Sequence, residues 1–594
     1  MLEFLLAQAR DYRLIAKYII SGSIAAVSQL GMLVFLVERV HVWHLLAVVY
    51  AFFFSASIAF CLQKFWTFND RSMRRAHFQA ALYAILILIA LSLNVLLMYI
   101  FVDIFQIWYV IAQIITMGMV TVVTFLSNKY IVFGDHEAMP FFKTRIFIFF
   151  KTHKIVIGVF LLAVLARLVF FFICLHANGG DLITTIRGQD GYFQLSRNLL
   201  LGNGFSINSE QPFLPYSYGV PGYPFFLFGI LWLTGSYAVT GMTQLILGAT
   251  IPVLGMYLTR LIVPSFRNAP LVVGLLLAFS PYQILFSFIF YTETLFTVIF
   301  GLFLIVFLNF LKTPSTKLAL ATGLLLGIAT LVKPTVQYLA LVVIIFSLWH
   351  FRGNLNKKQL IRFGLLLSAF LLVMSPWLYR NYETFGAANL SSQMPFNLHG
   401  VLLPSVLAIA NSTSFSVEQA KLPIYLDLSL SEMSALSARS IKEIAQHPVA
   451  LIELSALSAF TFFTHDGMLT FLQAAGVSPV SFLQKPALIM LLTTPWELTK
   501  SVFVQIHTSM GAVLLARIFW VVMTVFFGVG LYRLWRERLF SGALVFVSII
   551  VFYFMLTTMI NGLAVNARFR MPVEPIIFAI AYSGLMLSYR SIKK

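Results

Sequence analysis

Apolar residues run through this chain in long unbroken stretches, without the strict alternation of half-buried strands or the mixed faces of a soluble helix. Four such runs lie near 14–37, 44–63, 79–101 and 107–127, each close to the roughly 20 residues that cross a bilayer core. Others follow near 155–175, 269–288, 294–311, 318–332, 336–349, 360–378, 502–531, 541–560 and 573–589. The pattern predicts an all-α polytopic membrane protein. Short alternating segments of the kind that build an outer-membrane barrel are missing. Two polar, turn-rich stretches interrupt the runs, near 176–218 and 381–500, and read as structured external loops. Between 218 and 258 the hydropathy supports two crossings where the topology needs one, so a broken or re-entrant segment is expected there. Within the second loop, 449–463 is expected to dip into the interface or to pair with 486–494 as an extra hairpin.

Charge sharpens this picture. Of the 594 residues 60% are hydrophobic and 10% charged, with a net charge of +19, whereas a soluble domain carries about 25% charged residues. The cations flank the apolar runs: Arg10, Arg13 and Lys17; Lys64, Arg71, Arg74 and Arg75; Lys129, Lys143, Arg145, Lys151 and Lys154; and further on Arg260, Arg267, Lys312, Lys317, Arg352, Lys357, Lys358, Arg362 and Arg533 to Arg538. They mark cytoplasmic helix ends under the positive-inside rule, which explains the basic balance without a nucleic-acid partner. The first run is too long for a cleaved signal peptide and is expected to remain as an anchor. Cys61 and Cys174 sit in apolar segments, so neither a disulfide nor a metal cluster is expected.

An internal repeat divides the chain. Phe60-Cys-Leu-Gln63-Lys64-Phe65-Trp-Thr-Phe68 and Phe125-Leu-Ser-Asn128-Lys129-Tyr130-Ile-Val-Phe133 share one pattern and end the second and fourth runs. A duplicated two-helix unit accounts for this; a recurring aromatic and basic interface belt is the alternative. Together with Lys17-Tyr-Ile-Ile-Ser-Gly22, these endings resemble the GtrA-like family of four-helix membrane proteins over residues 1–135, although Gln63 departs from the asparagine usual there. The resemblance implies association with polyprenyl-phosphate-linked sugars, with Lys64 and Lys129 as phosphate contacts. Residues 136–154 form a basic linker, and 155–594 a second membrane domain.

Candidate chemistry lies in charges that break the orientation pattern. Lys333, Arg380, Arg568 and Arg570 fall at external helix ends, where a cation has no orienting role. Together they could hold an anion, or each could snorkel to headgroups or pair with an acid. Asp190, on the first external loop, is placed to take a proton from an attacking hydroxyl or to cap the following helix, with Asp181 its competitor. Glu293, the one acid between Glu210 and Glu383, is costly in apolar surroundings and is either functional or a partner for Lys333. His465-Asp466-Gly467 reads as a turn, and His399 and His507 have no zinc-ligand spacing.

The ordered series Asp190-Gly-Tyr192, Asn198 to Ser206, Pro221-Gly222-Tyr223-Pro224, Ser280-Pro281 with Thr292-Glu293, Lys333-Pro334-Thr335, Pro376-Trp377-Leu-Tyr379-Arg380-Asn381-Tyr382 and Arg568-Phe569-Arg570-Met-Pro572 resembles the GT-C superfamily of integral-membrane glycosyltransferases, among bacterial members akin to dolichyl-phosphate-mannose-protein mannosyltransferase and aminoarabinose transferase. The resemblance covers about 150–594. It implies a GT-C multi-span domain in the cytoplasmic membrane with its active site facing the exterior. Sugar would move from a polyprenyl-phosphate-linked donor to a glycan, lipid or protein hydroxyl, by inversion with Asp190 as general base. Lys333, Arg380, Arg568 and Arg570 would hold the lipid phosphate, Glu293 would share the catalytic centre, and Asp181, Tyr192, Tyr223, Trp377 and Tyr379 would line the sugar pocket. Paired acids common on this loop are absent beside Asp190, where Gln189 and Gly191 stand, which favours a metal-free mechanism; no cofactor is expected and a divalent metal stays open. The alternative is a flippase for a lipid-linked glycan, without transferase chemistry.

Overall fold

The computed structural model describes residues 16–25, 54–69, 109–128, 139–422, 430–477 and 509–592, with scattered positions elsewhere. Chain contacts divide it into two compact units, one of residues 1–154 with 234–236 and one of 155–233 with 237–594. No strand occurs among the described residues.

In the first unit every described residue of 16–132 is helical except Phe68 and Asn69. The repeat has a structural counterpart. Gln63 and Asn128 occupy equivalent places in the two endings, and the Asn128 amide donates to Gln63 Oε1 at 3.0 Å and to the Tyr18 hydroxyl at 3.2 Å. Tyr18 donates to Thr124 Oγ1 at 3.1 Å. Both amides are buried, so each needs a partner, and the paired repeats supply it. A glutamine at position 63 fits this arrangement because it acts as the acceptor.

The second unit is built from helices that run between two ends. Eight helices among the described residues are long and apolar enough to cross a membrane: Lys154–Ala177, Tyr237–Ile262, Glu293–Lys312, Lys357–Phe385, Gln393–Ala410, Met510–Arg536, Gly542–Ala564 and Ala567–Ser591. The protein is therefore a multi-pass membrane protein. Glu293–Lys312 starts at an acid and finishes at a cation, Thr316–Val332 returns to Lys333, and Lys357–Phe385 climbs from Lys357 to Arg380. One end thus collects Lys312, Lys357, Arg536 and Arg590, and the other collects Glu293, Lys333, Arg380 and Arg568.

The structure departs from the hydropathy reading in two places and, between 218 and 262, gives the single crossing that the topology needed. The run 269–288 is not one span: Ala269–Ala278 stops, and Pro281–Leu285 begins anew after Ser280 takes an extended backbone at φ −63° and ψ 121°. Proline at 281 lacks an N–H and pushes its predecessor out of the helical region. Between 218 and 262 a short helix, Gly222–Thr234, precedes the single long span Tyr237–Ile262. Inside the expected polar loop 381–500, Gln393–Ala410 is an apolar helix of spanning length, and Ala435–Ile444 with Pro448–Thr464 forms a helix pair bent by 99°. The expected pairing of 449–463 with 486–494 lies outside the described residues.

Candidate active site

Asp190 sits on a turn whose shape is set by its neighbours. Gly188 has φ +66° and Gly191 φ +77°, left-handed values that side chains avoid, and a Cβ on Gly188 would stand 2.9 Å from the Phe290 carbonyl. The turn is pinned to the start of Glu293–Lys312: Phe290 N donates to Ile186 O at 2.7 Å and Gln189 N to the Tyr291 hydroxyl at 3.1 Å. Gly191, not Asp190, occupies the N-cap of Tyr192–Leu200, and no side chain caps that helix. Asp181 does cap one, accepting from Ile183 N at 2.9 Å and from Thr184 Oγ1 at 2.5 Å before Leu182–Ile186. The Asp190 carboxylate is free of capping work.

It is engaged instead in a chain of four charges. Arg568 Nη2 donates to Asp190 Oδ2 at 2.8 Å, Arg568 Nε to Glu293 Oε1 at 2.6 Å, and Lys333 Nζ to the same Glu293 oxygen at 2.9 Å. Glu293 is fully buried, and an unpaired carboxylate there would be costly; two cations compensate it. Segments distant in sequence hold the partners. Lys333 ends Thr316–Val332, with Pro334 forcing the helix to stop. Arg568 lies in a 3-10 turn, Ala567–Val573, whose start is capped by Asn566 accepting from Arg568 N at 3.0 Å. The Arg568 guanidinium also lies 4.8 Å over the Tyr291 ring.

Asp190 keeps a third of its side chain accessible, yet the surrounding protein raises its pKa above the usual 3.8. Burial is the largest cause; Arg568 pulls it down, Glu293 pushes it up and Lys333 pulls it down. Lys333 and Arg568 border a cavity of about 450 Å³, within the roughly 300–1,000 Å³ of small-molecule sites. An acid of raised pKa, two cations lining a cavity and a charge relay between them can accept a proton and hold an anion.

The expected ring of four cations is a pair. Arg380 Nη1 donates to Tyr216 O at 3.3 Å and to Asn381 Oδ1 at 2.8 Å among Phe205, Trp377 and Phe385; no hydrogen bond or ion pair joins it to the network. Its geometry ties loop 205–218 to the span. Arg570 is fully buried, donating to Phe462 O at 2.5 Å and His465 O at 2.7 Å and lying 3.4 Å over Trp520. Tyr192 packs edge-on against Tyr223 at 5.0 Å beside Asp190, and the Tyr223 hydroxyl donates to Gln244 Oε1. Trp377 is buried and donates to Leu390 O at 2.9 Å, while Tyr379 is 66% exposed on its span. In the first unit Lys64 is buried and donates to Gln79 Oε1; Lys129 lies outside the described residues. No group of three His, Cys, Asp or Glu side chains that could hold a metal occurs among the described residues.

Three contributors carry no signal in the charge pattern. Gln244 joins the Tyr223 hydroxyl to the carbonyls of Phe286 and Ile289 and so braces the segment leading to Glu293. A buried glutamine inside an apolar span was its signal. Asn397 and Asn561 line the cavity and carry no charge to advertise it.

Residues 17–133 match the family described as the GtrA/DPMS transmembrane domain. The match covers the first unit's repeat and leaves the charge network outside it. Among curated proteins none matches the chain. Among solved structures, the crystal structure of ArnT from Cupriavidus metallidurans in the apo state is similar at 14% identity and a TM-score of 0.30, covering 73% of this chain and 78% of that one. A likeness that low bears on neither the site nor its chemistry.

Proposed function

We propose that the chain is a glycosyltransferase that moves a sugar from a polyprenyl phosphate to an acceptor hydroxyl at the external face of the cytoplasmic membrane. The observation that carries this reading is the charge chain Asp190–Arg568–Glu293–Lys333, whose two cations line a cavity at the helix ends opposite the basic rim. By the positive-inside rule that rim is cytoplasmic, so the cavity faces outward, where nucleotide sugars are absent and a lipid-linked donor is the chemically sensible source.

In this mechanism the donor phosphate draws on Arg568 and Lys333, and Arg568 loosens its hold on Asp190. Asp190 then takes the acceptor O–H proton, the oxygen bonds to the anomeric carbon, and the carbon–oxygen bond to phosphate breaks with both electrons leaving on the phosphate. The cations stabilise that developing charge. One displacement inverts the anomeric centre. Glu293 keeps both cations charged and oriented. A divalent ion is not required by this scheme, and the first unit, matched to a GtrA/DPMS transmembrane domain, would supply or position the donor.

Binding of synthetic polyprenyl phosphate to the full chain in nanodiscs tests the phosphate assignment. Lys333→Gln and Arg568→Gln should each weaken it by about tenfold or more, with Arg380→Gln nearer to wild type. Affinity indifferent to both Lys333 and Arg568 overturns the assignment.

A further inference from the structure

Among the described residues, no charged side chain beyond Lys333 and Arg568 lines the cavity. The rest of its wall is neutral and rich in amides that three separate elements bring together: Asn389 from the loop after Lys357–Phe385, Gln393 and Asn397 from the next helix, and Asn561 from the 3-10 turn Met559–Ala564. These amides are only partly used. Asn397 Nδ2 donates to Asn561 Oδ1 at 3.4 Å and Asn561 Nδ2 to Thr558 O at 3.1 Å, and the Asn389 side chain has no hydrogen bond among the described residues. A carboxamide carries two donor hydrogens and an acceptor with two lone pairs, so donors and acceptors both remain open to the cavity. Met394 and Phe569 add apolar surface between them.

A wall that both donates and accepts matches hydroxyl groups, which do the same. Among the described residues no carboxylate stands on it to compensate an ammonium, and a carboxylate-bearing ligand would compete with phosphate for Lys333 and Arg568. We propose that this amide wall binds an uncharged sugar ring, selecting neutral hexose or pentose over amino sugars and uronic acids. The inference rests on Lys333 and Arg568 forming the phosphate end. The sugar is either the one carried by the lipid donor or the terminal ring of the acceptor, since both present the same hydroxyl chemistry.

The test uses the full chain in nanodiscs with four probes: bare polyprenyl phosphate, the same lipid carrying a neutral hexose, a hexosamine or a hexuronic acid. A free neutral oligosaccharide is the fifth. The neutral glycolipid should bind about tenfold tighter than its charged counterparts. Asn561→Leu and Asn397→Leu should remove most of that advantage and leave bare polyprenyl phosphate unchanged. Asn389→Ala, which breaks no internal hydrogen bond, should act in the same direction and serves where the other variants fail to fold. Loss on the glycolipid assigns the wall to the donor sugar; loss on the free oligosaccharide alone assigns it to the acceptor. Tighter binding of a charged sugar, or variants that change neither neutral ligand, overturns the proposal. Bare polyprenyl phosphate indifferent to Arg568→Gln sinks the phosphate reading instead, and the oligosaccharide arm then still judges the wall.

Discussion

Arg568 and Arg570 are two positions apart in one 3-10 turn and have opposite surroundings. With three residues per turn they point about 120° apart around the axis. Arg568 meets two carboxylates and a cavity, with a quarter of its side chain accessible. Arg570 is sealed: two of its donors go to the carbonyls of Phe462 and His465, and its Nε lies 3.8 Å from the buried carboxylate of Glu574. The pair shows that a buried cation is not by itself a ligand site. What distinguishes the two is whether the partner can be exchanged: Arg568 lines a cavity and holds Asp190, a third of whose side chain is accessible, so a phosphate can take that place, whereas every partner of Arg570 is interior.

Arg570 also steadies its neighbour. It fixes the 462–465 segment to the turn, and Ala567 N adds a hydrogen bond to His465 Nδ1 at 3.3 Å. Replacing Arg570 with leucine orphans the carbonyls of Phe462 and His465 and strips the buried Glu574 of its cation; it should lower stability by about 3 kcal/mol or more, the largest structural effect expected, read as thermal unfolding in detergent. An unchanged midpoint would remove the distinction between the two arginines.

Arg568→Gln should cost less stability and more chemistry, with sugar transfer falling about 10²- to 10³-fold. It also carries a pH signature. Asp190 must be ionised to accept a proton, so transfer falls as pH drops through its raised pKa, and the acid limb lies above the ordinary aspartate range. Arg568 pulls that pKa down, so Arg568→Gln should move the limb to higher pH; a shift to lower pH contradicts the arrangement.

The smallest effect concerns His465. Burial, then Arg517, lowers its pKa from 6.5 to about 4, with Asp466 opposing and Arg570 reinforcing the shift. The unfolded chain therefore binds its proton first on acidification. This contribution to stability is present above pH 6.5 and is lost as pH falls toward about 4. His465→Asn should flatten the unfolding midpoint across that window, where wild type declines.

Hydropathy made the membrane fold legible because most spans are long and nearly free of charge. It failed where composition is blind to backbone: an apolar run reads alike whether or not it breaks, and only Pro281 betrays the stop within 269–288. Gln393–Ala410 was hidden by its own polar residues, Asn397, His399 and Ser405, which face protein or cavity. At the site, Glu293 stood out as an acid in apolar surroundings, Lys333 and Arg568 as cations at external helix ends, and Asp190 as an acid on the first external loop. The separate fates of Arg568 and Arg570 did not, since they depend on the register of one turn against 462–466. The cavity amides gave no charge signal at all.

The central claim is that Asp190 serves as the base while the cations receive the phosphate. Its most direct test is transfer from a synthetic polyprenyl-phosphate sugar by Asp190→Asn in nanodiscs, measured beside donor binding and movement of donor between leaflets. The account predicts transfer reduced by about 10²- to 10⁴-fold with donor binding retained. Leaflet movement that persists in Asp190→Asn while wild type yields no glycosylated product would contradict it and favour a flippase.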